Sequence, residues 1–235
     1  MGLLVWAEIP VYWTIQWENP HTLELARQQL RELITRDKNR AAVILWSVAN
    51  ETPRGEARLR FLRTLIDEAR RLDPTRLVTA ALEHRYVNDT TILIDDELGR
   101  YLDVLGNNEY IGWYDGPPEK ARRVVWQNAY DKPLIMSEWG GGAKAGFHGP
   151  AEQIWTEEYQ ARLYREQIAM LRRIPFLVGM SPWILKDFRS PRRPLARIQD
   201  YWNRKGVISD RGQRKQAFYV LQAFYRELAQ SAIND

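Results

Sequence analysis

The sequence contains no cysteine and only 3 histidines among 235 residues. Disulfide bonds and thiol catalysis are therefore excluded, although a lack of cysteine leaves the cellular compartment open. No apolar run approaches the roughly 18 residues of a membrane-spanning helix, so we expect no membrane partner. No segment has the pattern of a signal peptide, and localisation, cytoplasmic or secreted, stays open. No motif predicts a metal site or a cofactor.

The net charge of +4 and the sequence pI of about 9.3 do not indicate a nucleic-acid partner. Proteins that bind nucleic acid concentrate lysine and arginine in a patch or stripe. Here the basic residues are spread along helical segments, and the densest group, at 189–193, follows a predicted strand.

The length fits one large α/β domain or two small ones. Hydrophobic residues make up 45% and aromatic residues 11% of the chain, which is ample for a packed core. We find no repeat, low-complexity tract or linker, so we predict a single domain over 1–235.

Short apolar segments alternate with amphipathic segments from end to end. The predicted strands are Leu3–Glu8, Val43–Asn50, Leu77–Leu82, Val104–Asn108, Leu134–Glu138 and Phe176–Ile184. The predicted helices are Leu23–Arg36, Leu59–Leu72, Pro118–Tyr130, Ile154–Arg173 and Gln213–Gln230, with a short helix at Thr91–Leu98. Such alternation predicts crossover units and a parallel sheet. The alternative of a doubly wound open sheet is disfavoured because no glycine-rich phosphate loop follows a strand.

Two glutamates each end an apolar run. Glu51 closes 42–51 and Glu138 closes 133–138. A buried parallel strand reads as a nearly continuous apolar run, so an acid at its last position lies where the strand leaves the core. In a β/α barrel this rim carries the active site. Two such glutamates could act as the acid/base and nucleophile of glycoside hydrolysis. Alternatively, Asn50 and Glu51 cap a helix, and Glu138 begins a glycine-rich turn.

Three further groups of polar and aromatic residues could belong to such a site. Tyr110 follows a strand, and its hydroxyl could hold a carboxylate in the ionised form. Trp183 offers an indole face to a sugar ring. Asn203 and Lys205 provide one neutral donor and one point charge that could flank a carboxylate. The alternatives are ordinary core aromatics for Tyr110 and Trp183, and a solvated polar turn for Asn203 and Lys205.

Together these motifs resemble the catalytic barrel of glycoside hydrolase family 2, especially its β-glucuronidase branch. The matching stretches run in order and cover essentially the whole chain: Met1–Pro10, Ile44–Glu51, Asn107–Tyr114, Ile135–Gly140 and Pro182–Phe218. The resemblance implies that Glu51 is the acid/base and Glu138 the nucleophile. It also implies that Asn50 contacts the sugar, that Tyr110 supports the nucleophile and that Trp183 lies in the sugar site.

In the family, the strand that resembles Ile44–Glu51 is the fourth of the barrel. Leu3–Glu8 would then be the third, and the resemblance implies an incomplete (β/α)8 TIM barrel covering strands 3 to 8. We therefore expect this chain to be the C-terminal part of a longer enzyme. Because an incomplete barrel exposes strand edges, we also expect the chain expressed alone to be inactive or to aggregate.

The turn Asn203-Arg204-Lys205 resembles the Asn-x-Lys motif by which β-glucuronidases bind the sugar carboxylate. An arginine lies upstream in that branch; Arg197 is nearby, but its spacing to Asn203 is longer than usual. The resemblance implies a retaining exo-β-glycosidase for β-glucuronides, with a carbohydrate as the partner. A β-galactosidase, a β-galacturonidase and an inactive or carbohydrate-binding remnant stay open as alternatives. The oligomeric state also stays open, with a homo-oligomer among the alternatives.

Overall fold

The computed structural model describes residues 3–234, without the side chains of 232–234. Met1 and Gly2, which begin the first stretch of the family resemblance, lie outside the described residues. The chain divides into two compact units. The first comprises Val125–Ser137, Phe176–Gly179 and the described residues up to Asn108. The second comprises Glu109–Val124, Glu138–Pro175 and the described residues from Met180 onward.

A six-stranded sheet organises the first unit. In spatial order its strands are β1 (Val5–Glu8), β2 (Val43–Asn50), β3 (Leu77–Leu82), β6 (Leu105–Asn108), β8 (Leu134–Glu138) and β9 (Leu177–Met180). The pairs β1–β2, β2–β3 and β3–β6 are parallel. Parallel strands in chain order, with helical crossovers, are the architecture of a β/α barrel, and six strands form an incomplete one. The predicted fold class is confirmed.

The predicted strands agree closely with the observed ones except at the last. β2, β3 and β8 have the predicted bounds. The prediction of one long strand over Phe176–Ile184 is wrong, because β9 ends at Met180. Pro182 has no N–H to donate to a sheet, and the Ile184 N–H instead donates to the Lys205 carbonyl across 3.2 Å.

β2 is buried along almost its whole length. Leu45, Trp46, Val48 and Ala49 are at most 2% exposed. The Trp46 indole N–H is nevertheless satisfied, since it donates to Asp73 across 3.0 Å. Burial on both faces explains why this strand reads as a continuous apolar run.

Two helices of the first unit pack against each other. α1 (Pro20–Asp37) is capped at its N-terminus by Asn19, whose side chain accepts the His21 N–H, and Pro20 fits the first helical turn. α2 (Glu56–Leu72) follows β2. The buried carboxylate of Glu68 on α2 accepts hydrogen bonds from two arginines of α1, Arg27 and Arg31.

Two predicted helices are wrong, because a small sheet occupies their place. It contains β4 (Arg85–Asn88), β5 (Thr91–Ile94) and β7 (Val125–Asn128). Thr91–Leu98 is not a helix, since buried Ile92 and Ile94 alternate with half-buried residues in a period of two. Pro118–Tyr130 is helical only as a 3₁₀ turn over Pro118–Arg122. The β-branched pair that follows, Val124-Val125, favours a strand.

The second unit is mainly helical. α3 (Glu157–Leu171) packs against α4 (Gln216–Asn234) and the 3₁₀ turn. The short strands β10 (Phe188–Arg189) and β11 (Trp202–Asn203) form an antiparallel pair. Within the described residues, no helix is both long and apolar enough to cross a membrane.

A buried ion pair joins α2 to the loop after β5. Both terminal guanidinium nitrogens of Arg58 donate to Asp96, at 2.7 and 2.8 Å, and the two side chains are at most 1% exposed. Arg58 also donates to Thr52. Removing one partner of a buried pair leaves the other charge without compensation.

We therefore expect Arg58→Leu to lower the free energy of unfolding by about 3–5 kcal/mol, measured by urea denaturation. The control is Arg60→Leu, an exposed arginine on the same helix, for which the loss should stay within about 0.5 kcal/mol. Equal losses in the two variants would contradict the importance assigned to the buried pair.

Candidate active site

Glu51 follows directly on β2 and is held by neighbours in the first unit. Its backbone N–H donates to the Ala81 carbonyl at the end of β3, across 3.0 Å. Its φ of +47° lies in the left-handed region, which non-glycine residues rarely adopt. Such backbone strain is typical of functional positions.

Asn108, the last residue of β6, connects the two polar residues at the end of β2. Its Nδ2 donates to Asn50 Oδ1 at 2.8 Å and to Glu51 Oε1 at 3.0 Å. Its Oδ1 accepts a hydrogen bond from the Ser137 hydroxyl at 2.7 Å. The predicted residues Asn50 and Glu51 are thus brought together. No role was predicted for Asn108, although its position at the end of the predicted strand Val104–Asn108 was the available signal.

Trp13 contacts the second oxygen of Glu51. Its indole Nε1 donates to Glu51 Oε2 across 3.1 Å. Both carboxylate oxygens of Glu51 therefore accept hydrogen bonds from neutral N–H donors. No sequence pattern pointed to Trp13, because it lies in a loop after β1 rather than at a strand end.

Burial and the charge of Glu51 raise the pKa of two more carboxyl groups, those of Glu8 and Glu83. Burial raises the pKa of Glu8, hydrogen bonds from Ser47 and Trp6 oppose this, and the Glu51 charge adds to the increase. Burial and the Glu51 charge likewise raise the pKa of Glu83. Acidic groups thus accumulate around Glu51. Even so, the described residues contain no group of three or more potential ligands arranged to hold a metal ion.

Glu138, the last residue of β8, lies in the second unit beside Tyr110. The Tyr110 hydroxyl donates a hydrogen bond to Glu138 Oε2. The backbone also joins the two segments, since the Glu109 N–H donates to the Glu138 carbonyl across 3.0 Å. The buried Tyr110 ring contacts Tyr114 edge-on, with centroids 5.4 Å apart. The structure thus brings the predicted residues Tyr110 and Glu138 together.

The glycines after Glu138 allow close packing within the protein. Gly140 has a φ of +120°, and a Cβ there would lie 2.6 Å from the Tyr164 hydroxyl. A Cβ on Gly141 would meet Leu163 and Trp113 at 2.9 Å. The space beside these glycines is therefore occupied by neighbouring side chains.

Trp183 is half-buried and tied to the segment that follows Glu138. Its backbone N–H donates to the Trp139 carbonyl across 2.8 Å. Its ring contacts Phe188 edge-on at a centroid distance of 6.2 Å. This geometry holds the indole through one backbone bond and one aromatic contact.

The Lys205 ammonium is buried among three aromatic rings. Its Nζ lies 5.1 Å from the ring centroid of Tyr110, 5.9 Å from that of Trp113 and 4.5 Å from that of Tyr114. It donates to the Tyr114 hydroxyl across 2.5 Å. In the part of the chain that the structure describes, no carboxylate forms an ion pair with Lys205.

Charges of both signs act on the buried Lys205 ammonium. Burial lowers the pKa of Lys205, the contact with Tyr114 opposes this, and the charges of Arg193 and Glu138 lower and raise that pKa respectively. Burial alone would raise the pKa of Tyr114, but its contacts with Lys205 and Arg193 hold that pKa below the ordinary value. An anionic group is therefore favoured here.

Asn203 shapes the turn that carries Lys205. Its side-chain Oδ1 accepts the Lys205 N–H across 3.1 Å. The buried Lys215 ammonium also holds this turn, since it donates to the Arg204 carbonyl at 3.0 Å and to Asp187 at 2.9 Å. The predicted pair Asn203 and Lys205 thus forms a fixed turn and not a solvated one.

The hydrogen bonds of Arg197 are with residues other than Lys205. It is exposed, has a φ of +66°, and uses its backbone N–H to bond Asp200. The arginine beside this group is Arg193, whose guanidinium donates to the Tyr114 hydroxyl across 3.1 Å. The sequence pattern did not indicate Arg193, because spacing does not reveal how the 190–201 loop folds back.

Comparison with known proteins places these residues in a family. Residues 3–229 match the model of glycosyl hydrolases family 2, TIM barrel domain. The β-glucuronidase of Paenibacillus borealis is 32% identical over 250 residues, covering 97% of this chain and 40% of that protein. The β-glucuronidase of Sus scrofa is 33% identical, covering 89% and 32% respectively.

Solved structures of a β-galacturonidase and a β-glucuronidase are also similar to this chain. The family 2 β-galacturonidase of Eisenbergiella tayi bound to galacturonate has a TM-score of 0.80 at 26% identity, covering 96% of this chain and 41% of that one. The β-D-glucuronidase of Dictyoglomus thermophilum has a TM-score of 0.73 at 32% identity, covering 88% and 36%. The chain thus spans about two fifths or less of the length of these relatives. It belongs to glycosyl hydrolase family 2, whose TIM barrel domain it matches over residues 3–229.

Proposed function

We propose that the protein is a retaining exo-β-glycosidase that hydrolyses β-glucuronides. Membership of glycosyl hydrolase family 2 supports the reaction class. Relatives named β-glucuronidase, at 32–34% identity, support the sugar. The observation that carries the proposal is the buried Lys205 ammonium, which forms no ion pair with a carboxylate within the described residues and on which Glu138 acts through its charge.

Lys205 supports a charged sugar because a buried charge needs compensation. An uncompensated buried ammonium is costly, and a paired one much less so. Aromatic faces and a hydroxyl group supply part of that compensation. The carboxylate of a uronic acid would supply the rest, whereas a neutral sugar such as galactose would not. In this proposal Asn203 provides the neutral donor of the same subsite.

The proposed reaction proceeds through two displacements. Glu138 attacks the anomeric carbon and forms a glycosyl ester, while Glu51 donates its proton to the departing glycosidic oxygen. Glu51 then removes a proton from water, whose oxygen attacks the anomeric carbon and releases Glu138. The Tyr110 hydrogen bond favours the ionised form of the attacking carboxylate.

The remaining predicted residues bind the sugar in this proposal. Asn50 donates its amide to a sugar hydroxyl, since its Oδ1 is already occupied by Asn108. Trp183 offers its indole to the sugar ring. Asn108 orients both Asn50 and Glu51.

A β-galacturonidase is the second candidate, because it too would place a carboxylate at Lys205. The likeness to the Eisenbergiella tayi β-galacturonidase supports it. The 4-nitrophenyl β-glycosides of glucuronic acid, galacturonic acid and galactose separate the alternatives by rate. A protein that binds these sugars without hydrolysing any of them would instead be a carbohydrate-binding remnant.

Lys205→Met should reduce kcat/KM about 10- to 100-fold more for a 4-nitrophenyl β-glucuronide than for the matching β-glucoside. The reason is the loss of a hydrogen bond to a charged group, worth about 1.5–3 kcal/mol. The control is Lys186→Met, an exposed lysine, which should affect both substrates equally. Equal losses in Lys205→Met would refute the uronate interpretation. All rates refer to the protein expressed from its complete reading frame.

The KM for the glucuronide should rise in alkaline solution while that for the glucoside does not. Burial lowers the pKa of Lys205 in the folded protein, so the ammonium loses its proton below the ordinary pH of such a group. Uronate binding is therefore strong below the folded pKa and is lost as pH rises through it. KM measured against pH for both substrates checks this, and parallel curves would contradict it.

The roles of the two glutamates are separable with azide as an external nucleophile. In Glu138→Ala, azide should restore turnover and give the α-glycosyl azide, because it attacks in place of the carboxylate. In Glu51→Ala, turnover should fall about 10²–10⁴-fold, and azide should give the β-glycosyl azide from the ester. Product configuration is read by NMR, and interchanged configurations would reverse the assignment.

A further inference from the structure

An aromatic pair lies beside Glu51 in the loop after β1. The rings of Tyr12 and Trp13 are stacked, with centroids 4.6 Å apart and planes inclined by 28°. The two residues are 40% and 49% exposed. Tryptophan and tyrosine are common at binding surfaces, because a large ring contributes contact area at low entropy cost.

The backbone fixes this pair against the end of β2. The Trp13 N–H donates to the Asn50 carbonyl across 3.2 Å, and the Asn50 N–H donates to the Val11 carbonyl across 2.9 Å. Tyr12 and Asn50 form an isolated parallel bridge. The aromatic pair is therefore held by the same strand end that carries Glu51.

Backbone strain marks the same position. Trp13 has a φ of +53° and Glu51 a φ of +47°. A left-handed conformation is unfavourable for a bulky residue, and it persists only where the surroundings impose it. Here the two strained residues contact each other through the Nε1 to Oε2 hydrogen bond of 3.1 Å. The fold thus maintains an exposed indole against this carboxyl group.

The proposed reaction places the leaving group of the substrate beside the Trp13 indole. This step rests on the proposed role of Glu51 as the acid. A general acid must lie about 2.6–3.2 Å from the oxygen that it protonates. That glycosidic oxygen is the first atom of the leaving group. Since Trp13 contacts the Glu51 carboxyl group, the first atoms of the leaving group would lie within reach of the aromatic pair.

We propose that Tyr12 and Trp13 form the wall of the leaving-group subsite and that this subsite selects aromatic aglycones. An aromatic leaving group would stack on the exposed indole, gaining about 0.5–1.5 kcal/mol over its buried area. A methyl aglycone lacks a ring and makes no such contact. The substrate class is therefore the aryl β-glucuronides.

The test compares binding and not turnover, so that leaving-group acidity does not intervene. Phenyl and methyl 1-thio-β-D-glucuronides are used as ligands of the protein expressed from its complete reading frame, with Kd measured by calorimetry. Trp13→Ala should weaken binding of the phenyl compound about 2- to 12-fold and leave the methyl compound nearly unchanged. Trp13→Phe keeps a ring, so the phenyl preference should remain.

Two controls keep the result interpretable. Trp13→Leu retains apolar volume without an aromatic face, and it should lose the preference as Trp13→Ala does, even if the alanine variant is unstable. Tyr219→Ala removes an exposed tyrosine of α4 and should change neither Kd.

An unchanged phenyl-to-methyl ratio in both Trp13→Ala and Trp13→Leu would overturn the aglycone subsite and leave the proposed function intact. A parent protein that hydrolyses no uronide and binds neither thioglucuronide would overturn the proposed function itself, together with the inference that rests on it.

Discussion

The hydrogen bonds of the Asn108 side-chain amide are the interaction on which the arrangement around Glu51 depends. Its NH₂ group donates hydrogen bonds to Asn50, the last residue of β2, and to Glu51, and its oxygen accepts one from Ser137 on β8. One buried amide thereby connects the ends of three strands. Parallel strands present their carboxyl ends at one edge, and short polar side chains can link them there. With Trp13 on the other oxygen, the Glu51 carboxyl group has a defined orientation.

The buried ammonium of Lys205 is the corresponding constraint in the second unit. Its ammonium is surrounded by Tyr110, Trp113 and Tyr114, and Arg193 adds a second positive charge. The turn that carries Lys205 is supported by Lys215, itself paired with Asp187. The chain thus maintains a buried ammonium that forms no ion pair with a carboxylate of the described residues. A site that binds an anionic sugar provides a physical reason for it.

Much of this arrangement was predictable from residue order. Glu51 and Glu138 end apolar runs, and the bounds of β2, β3 and β8 follow from those runs because buried strands carry few polar residues. The three-residue segment Asn203-Arg204-Lys205 was likewise predicted to form a turn. These features are local in the sequence, so local patterns reveal them.

The contacts that were missed are not local. Trp13 and Glu51 are 38 residues apart, and Arg193 and Tyr114 are 79 residues apart. Loop conformation decides such contacts, and no periodicity encodes it. The small sheet was missed because Val125–Asn128 finds its partner, β5, far away along the chain. β-propensity in a short segment is easily read as part of a helix when that partner is unknown.

The central claim is that Glu138 forms a covalent bond to a sugar selected through its carboxylate. Labelling with 2-deoxy-2-fluoro-β-glucuronyl fluoride tests it, since fluoride departs readily and the glycosyl ester accumulates. Peptide mass spectrometry should find the label on Glu138, with labelling much slower in Lys205→Met and for the matching glucosyl fluoride. A label on a different carboxylate, or equal labelling by the two fluorides, would contradict the account.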